Sequence, residues 1–484
     1  MTNQGTPPSK NDHSTIDQHK LSKGTLIPPL ATIPNLQPTS WIDDFLPEFI
    51  WTSLLLSHLR RPDALAVLRK IVKYVAEFQG DDRPYDITHT GLSNLRSPVL
   101  DEILDILVEV DEHRRVLRPL LLLDIPSRRE WAGKIKDSPS SADWEALMLA
   151  VASTLNHQSQ ESTDCRWVRV LCMMVAGKII LPSKHREMAE EILFYPDRGD
   201  QRRVRPTIRS TELVVRQADE TIRRWPATYW QQCLRETPCY AIPESRASEH
   251  SLEGTDSRVK QLYNLLLEHC NKSRTTTALD PRHDTTFGLA LYCLSLVVEM
   301  CRNRLSQSIS GRIILRTIVE CYITLKYLAV KDTYDLWKSY RIFGAGQVKL
   351  SYLKLNLQNE KPSYVNTDTL RELANEDIWQ EFLPIELGHW ANADLRKISI
   401  EAGAKDVYDC FYSWTSTFSH GHWGGLRDAE FTLCGNPLHR LHRIPRGSPR
   451  SLPDVVPDVC RIVDRILEIV SQCYPAFHHR INVS

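Results

Sequence analysis

Residues 313–325 read IILRTIVECYITL, and the fold turns on that stretch. Ile314, Ile318, Cys321 and Leu325 form one stripe at three- and four-residue spacing, and Leu315, Val319 and Tyr322 form a second. An α-helix repeats every ~3.6 residues, so the two stripes make this helix apolar nearly all round, the pattern of a central, buried helix. Arg316 and Glu320 are its only charges. A buried Arg or Glu left alone is costly, so the two are expected to meet across one turn. Spacing of i and i+4 permits that, although Arg before Glu is the weaker order for helix stability. The pair has two readings: an internal ion pair that fixes register, or the polar lining of a pocket that positions a phosphate or a catalytic group.

The same periodicity extends in both directions. Towards the N-terminus it predicts helices through FIWTSLLLSHL, from Pro62-Asp63 through ALAVLRKIVKYVAEF, and over residues 99–110, 142–155, 165–180, 185–194 and 211–225. Around the opening stretch it predicts helices over 259–270 and 283–305, from Ser308 or Ser310 to about Val330, and from Thr333 through Leu355. A last helix over 457–473 carries Val459, Ile462, Val463, Ile466, Ile469 and Val470 on one stripe. No strand pattern competes, and 19 glycines against 59 leucines in 484 residues favour helices over turn-rich β architecture. The expected fold is all-α: a multi-helix N-terminal domain over 41–245, then a helical bundle over 255–480, divided by the polar stretch 241–257. Residues 1–40, rich in Pro, Ser, Thr, Asn and Gln, read as a disordered arm in which LIPPL (26–30) lies extended.

Sixty basic and sixty acidic side chains give zero formal charge, which excludes a polycationic nucleic-acid wrapper and an acidic solvating tail. Local basic patches survive the average: Arg198, Arg202, Arg203, Arg205 and Arg209, and then His439, Arg440, His442, Arg443, Arg446 and Arg450. Each reads as a solvated loop or as a binder of phosphate backbone. The first residues hold no apolar core of a signal peptide, and Gly288–Val298 is too short to span a bilayer. The twelve cysteines are scattered without a C-x-x-C, so no metal site is expected and the protein reads as cytoplasmic with reduced thiols.

A second polar stripe supplies a counterpart to Arg316 and Glu320. In DVYDCFYSWTSTFSHGHWGG (406–425), Asp409, Ser413, Ser416 and His420 step by four, three and four along one helix face. His420 stands where Gly421, Gly424 and Gly425 end the helix, and Ser416 precedes it by one turn. That arrangement suits a general base or a helix cap. His420 and His422 form an H-x-H, but with their rings directed apart and no third ligand fixed, it does not read as a metal site.

The block from RIILRTIVECYITLKYL through YSWTSTFSHGHWG resembles a bacterial helical family, domain of unknown function 5677. The resemblance rests on R-x-x-x-E at Arg316 and Glu320 and on S-x-x-x-H-G at Ser416, His420 and Gly421, and it covers about residues 255–430. That family in turn is similar to the HEPN superfamily of helical bundles, many of which are ribonucleases in toxin and phage-defence systems. The resemblance implies a nucleic-acid-directed effector or ribonuclease, with His420, Ser416, Glu320 and Arg316 as catalytic candidates and Arg440 and Arg443 as ligand-binding candidates. HEPN ribonucleases resemble one another in an R-x4–6-H element, and its match here, Arg83 to His89, lies outside the resembling block. The competing reading is a non-enzymatic helical scaffold or sensor whose Arg/Glu pair is structural. The expected partners are RNA or another phosphate-bearing ligand and a second copy of the chain. No cofactor and no membrane contact is expected.

Overall fold

The stripes of residues 313–325 lie in the helix Ile309–Lys331 of the computed structural model, which describes residues 16–32, 40–80, 83–180, 186–217, 225–242, 255–376, 378–379 and 381–482. The fold is all-α, with two pairs of three-residue strands as its only extended elements among the described residues. The chain divides into two units: residues 1–242 with 433–442, and residues 243–432 with 443–484.

In the second unit, Ser308 caps the Ile309–Lys331 helix, its hydroxyl accepting the Gly311 N–H. Leu315, Ile318, Val319, Tyr322, Ile323, Leu325 and Leu328 are buried, and their helix packs against the last helix, Val456–Cys473. That helix presents Val459, Ile462, Val463, Ile466 and Val470 as the stripe its sequence predicts. Pro281–Arg302 packs on both helices, and Leu395–Glu401 and Ser413–Ser419 lie on further faces of Ile309–Lys331, so that helix is central. Pro281–Arg302 spans 22 residues and is long and apolar enough to cross a membrane by length and composition, a correction to the shorter run read from sequence. Half of its most apolar window is buried inside the unit, as in a core helix.

The charge buried in the central helix is Arg312, not the pair that its stripes single out. Arg312 is 6% exposed and donates to the carbonyls of Ser306 at 2.9 Å and Ser308 at 3.3 Å, and to that of Pro453. Burial pushes its guanidinium down to about 10. Arg316 and Glu320 lie at the rim instead, their side chains 14% and 40% exposed. The expectation of a buried pair is corrected accordingly.

In the first unit, Ile50–His58, Arg61–Glu77, Ala142–Leu155, Gln160–Val175 and Gln201–Gln217 surround a core that includes Trp51, Trp131 and Trp167. Pro62 opens the second of these, as its missing N–H and fixed φ allow. The buried ion network is on Gln160–Val175: Arg169 donates to Glu212 at 3.1 Å and to Asp86 at 3.1 Å, and Arg166 lies 3.5 Å from Glu212. Arg203 and Arg209 belong to the helix Gln201–Gln217 rather than to a loop, and Arg203 bridges Glu187 and Glu191. Residues 218–224 of the helix expected over 211–225 lie outside the described residues, as does most of the polar stretch 241–257. Of the arm, residues 16–32 are described: β1 (Lys20–Ser22) pairs antiparallel with β2 (Thr25–Ile27), so Leu26 and Ile27 of LIPPL are extended, while Pro29–Thr32 turns as a 3-10 helix.

Candidate functional site

The site begins with an irregularity in the helix that faces Arg316. Lys405–Val407 is α-helical, Tyr408–Tyr412 winds as a π-helix, and Ser413–Ser419 returns to α. A π turn takes one extra residue, so residues before it are rotated off the face that follows. Asp409 is accordingly not on a common stripe with His420, and it pairs with Lys405. Tyr412 replaces it. The Tyr412 ring stacks on Tyr408 with centroids 4.8 Å apart and 18° between planes, which fixes the phenol beside the central helix.

Arg316 is the hub. Its Nε donates to Glu320 Oε1 at 3.0 Å, its Nη1 to His420 Nε2 at 2.8 Å and its Nη2 to the Tyr412 hydroxyl at 3.0 Å. The guanidinium carbon also lies 4.9 Å from the centre of the Tyr412 ring. A guanidinium has no acceptor, so His420 Nε2 must present its lone pair, and the imidazole proton sits on Nδ1. His420 itself is exposed.

The turn that holds His420 follows from its glycines. His420 ends the helix Ser413–Ser419, its N–H donating to the Ser416 carbonyl at 3.1 Å. Gly421 takes φ +60°, a left-handed conformation that returns the His422 N–H to the Thr417 carbonyl at 2.9 Å. This is a Schellman closure, and glycine enters it without the steric penalty of a Cβ. A Cβ on Gly425 would lie 2.8 Å from Thr417 Oγ1 and 2.9 Å from the Phe418 nitrogen, so the next helix approaches this closely only with glycine there. Trp414, whose ring lies over Gly424, and Trp423, which follows His422 in sequence, are 52% and 61% exposed.

The structure thus joins Arg316, Glu320 and His420 and adds Tyr412, which the regular helical stripe hid. The Ser416 hydroxyl makes no hydrogen bond among the described residues, and Ser416 serves through its carbonyl. Arg440 belongs to the first unit, donating to Asp43 at 2.6 Å and lying 5.7 Å from the Trp230 ring centre. Arg443 is half-buried in the short strand Arg443–Pro445. Arg83 and His89 do not form an accessible pair: Arg83 donates to the carbonyls of Val175 and Phe78, and His89 is fully buried. A separate cleft of about 380 Å³ beside Lys326, Asp406 and Arg465 includes none of the Arg316 cluster.

Among the described residues, the His420–His422 pair, with ring centres 5.6 Å apart, gathers no third donor, and four side chains with metal-ligand geometry converge in the first unit instead. No curated protein and no solved structure matches the chain. Arg316, Glu320, Tyr412 and His420 all lie within residues 288–432, which match the model of a family of unknown function, DUF5677.

Proposed function

We propose that the second unit carries a phosphate-directed site that cleaves RNA, with Arg316 binding the phosphate and His420 acting as general base. The observation that carries this reading is the 2.8 Å contact between Arg316 Nη1 and the Nε2 lone pair of an exposed imidazole. A phosphate bonds a guanidinium more strongly than a neutral imidazole does, because both partners are charged and the contact is bidentate. A phosphodiester drawing Nη1 away uncovers Nε2 beside itself. Nε2 then takes the proton of the ribose 2′-hydroxyl, the 2′-oxygen attacks phosphorus, and the 5′-oxygen leaves with a proton from water. Exposed Trp414 and Trp423 supply flat faces on which unpaired bases stack. The resemblance to HEPN bundles supports the same substrate class and a role as a defence effector.

The test uses the full chain with a single-stranded RNA and its all-deoxy counterpart. Cleavage of the RNA alone, lost in His420→Ala and in Arg316→Ala, is expected. Unchanged cleavage in His420→Ala would remove the proposed chemistry.

A second reading, a scaffold in which the cluster is structural, is favoured by one observation: Nε, Nη1 and Nη2 of Arg316 each already have a partner within the chain. It expects Arg316→Ala to lower the melting temperature and RNA to be neither bound nor cut.

A further inference from the structure

The residues 433–442 that join the first unit from late in the chain include three of its four converging side chains. We propose that Cys239, Cys434, His439 and His442 bind one structural zinc ion. One ligand atom from each lies within 4.8 Å of the others. Cys239 Sγ is 3.4 Å from His442 Nε2 and 3.5 Å from His439 Nδ1, and Cys434 Sγ is 3.4 Å from His439 Nδ1. In a tetrahedral site with Zn–S of ~2.3 Å and Zn–N of ~2.0 Å, neighbouring sulfur and nitrogen donors stand ~3.5 Å apart. The three separations fit the edges of that tetrahedron.

The surrounding hydrogen bonds orient the donors. Thr237 gives its hydroxyl proton to the Cys233 carbonyl at 2.7 Å, so its oxygen accepts the His439 Nε2–H at 2.9 Å. That bond selects the tautomer whose lone pair is on Nδ1, the nitrogen facing both sulfurs, as outer partners of metal-bound histidines do. The Asn436 N–H donates to Cys434 Sγ at 3.4 Å, which fixes where that sulfur lies. Asn436 Nδ2 also donates to the Pro238 carbonyl at 2.8 Å, and the Gly435 N–H donates to the Tyr240 carbonyl at 2.7 Å. These bonds hold the segment against residues 237–241. Cys434 and His439 are buried, while Cys239 is exposed and His442 half-buried, so the donors stand at an edge that an ion can reach.

Two sulfurs and two imidazoles suit a borderline-soft tetrahedral ion rather than magnesium or calcium. Four protein donors fill the coordination sphere, so the ion is structural rather than catalytic. Loading releases one proton from each thiol to solvent and leaves a neutral Zn(Cys)₂(His)₂ group. In sequence the motif is C-x4-H-x2-H over 434–442 with a cysteine far upstream at 239, so no C-x-x-C announces it.

The test is the metal content of the full chain, purified without chelator, loaded with zinc and dialysed against metal-free buffer. About one zinc per chain is expected in the wild type and in Cys410→Ser, which alters an exposed cysteine of the second unit, and below about a tenth in Cys239→Ser and His442→Ala. Loading with cobalt in place of zinc should give the wild type a tetrahedral cobalt–thiolate absorption band. That spectrum decides the matter even if both variants misfold. Folded wild type that retains no zinc, full zinc in both variants, or no cobalt–thiolate band overturns the proposal. So does a mass two hydrogens short from a Cys239–Cys434 disulfide.

Discussion

His89 should make the first unit labile to mild acid, and a single substitution should remove that lability. The ring is fully buried between Trp131 and Trp225, at centroid distances of 5.8 and 5.4 Å, and neither ring nitrogen has a hydrogen-bond partner among the described residues. Burial pushes its pKa down to about 3. Because the folded value lies below the unfolded one, the unfolded chain binds the proton first. The stability is therefore present above pH ~6.5 and is lost as pH falls towards 3. The same values put the loss at about 2 kcal/mol between pH 8 and pH 5, and at about 4 kcal/mol by pH 3. His89→Phe keeps an aromatic ring between the two tryptophans and cannot charge. Urea unfolding followed by tryptophan fluorescence, at pH 8 and pH 5, measures both proteins. Other titrating groups cancel in the difference, including buried Glu48, whose raised pKa acts in the opposite sense. The wild type should lose about 2 kcal/mol more than His89→Phe. Equal losses, to within about 0.5 kcal/mol, would refute the argument from burial.

Arg169→Met should cost the first unit about 3–5 kcal/mol in chemical denaturation, because Glu212 and Asp86 lose a buried partner; adding Glu212→Gln should recover part of it. Gly421→Ala should destabilise the second unit by about 1 kcal/mol, since φ of +60° is strained for alanine, and a thermal melt reads this directly. Ile466→Ala, in the buried stripe of the last helix, should cost about 2–5 kcal/mol by the same denaturation assay. Tyr412→Phe should cost about 1 kcal/mol or less while keeping the ring stack on Tyr408, which near-ultraviolet circular dichroism reports.

Much of the fold was legible because its signals are local. Ser308 and Thr333 mark helix starts, the six apolar positions of 459–470 mark a face, and ADWEALMLAVASTL coincides with the helix Ala142–Leu155. Burial depth was less legible. The stripes around 313–325 identified a central helix, yet they assigned its buried charge to Arg316 when the deeply buried one is Arg312, three residues before Leu315 and satisfied by carbonyls from two loops. Sequence periodicity gives direction around a helix axis. How far the neighbouring elements extend along that axis decides which turn of the helix is covered.

The two clusters of polar side chains show the same division. Arg316 and Glu320 were found because four-residue spacing brings them together whatever the fold. His420 joined them through a turn that three glycines announce. Tyr412 was missed because a stripe drawn at ~3.6 residues per turn assumes that the helix stays α, and one π turn moved the face from Asp409 to Tyr412. Cys239 was missed for a different reason. No spacing rule reaches from 239 to 434, and the pairing exists only after the bridge between Ala241 and Cys434 forms. Irregular winding and long-range closure are both products of tertiary packing, so groups that depend on either are visible in coordinates before they are visible in sequence.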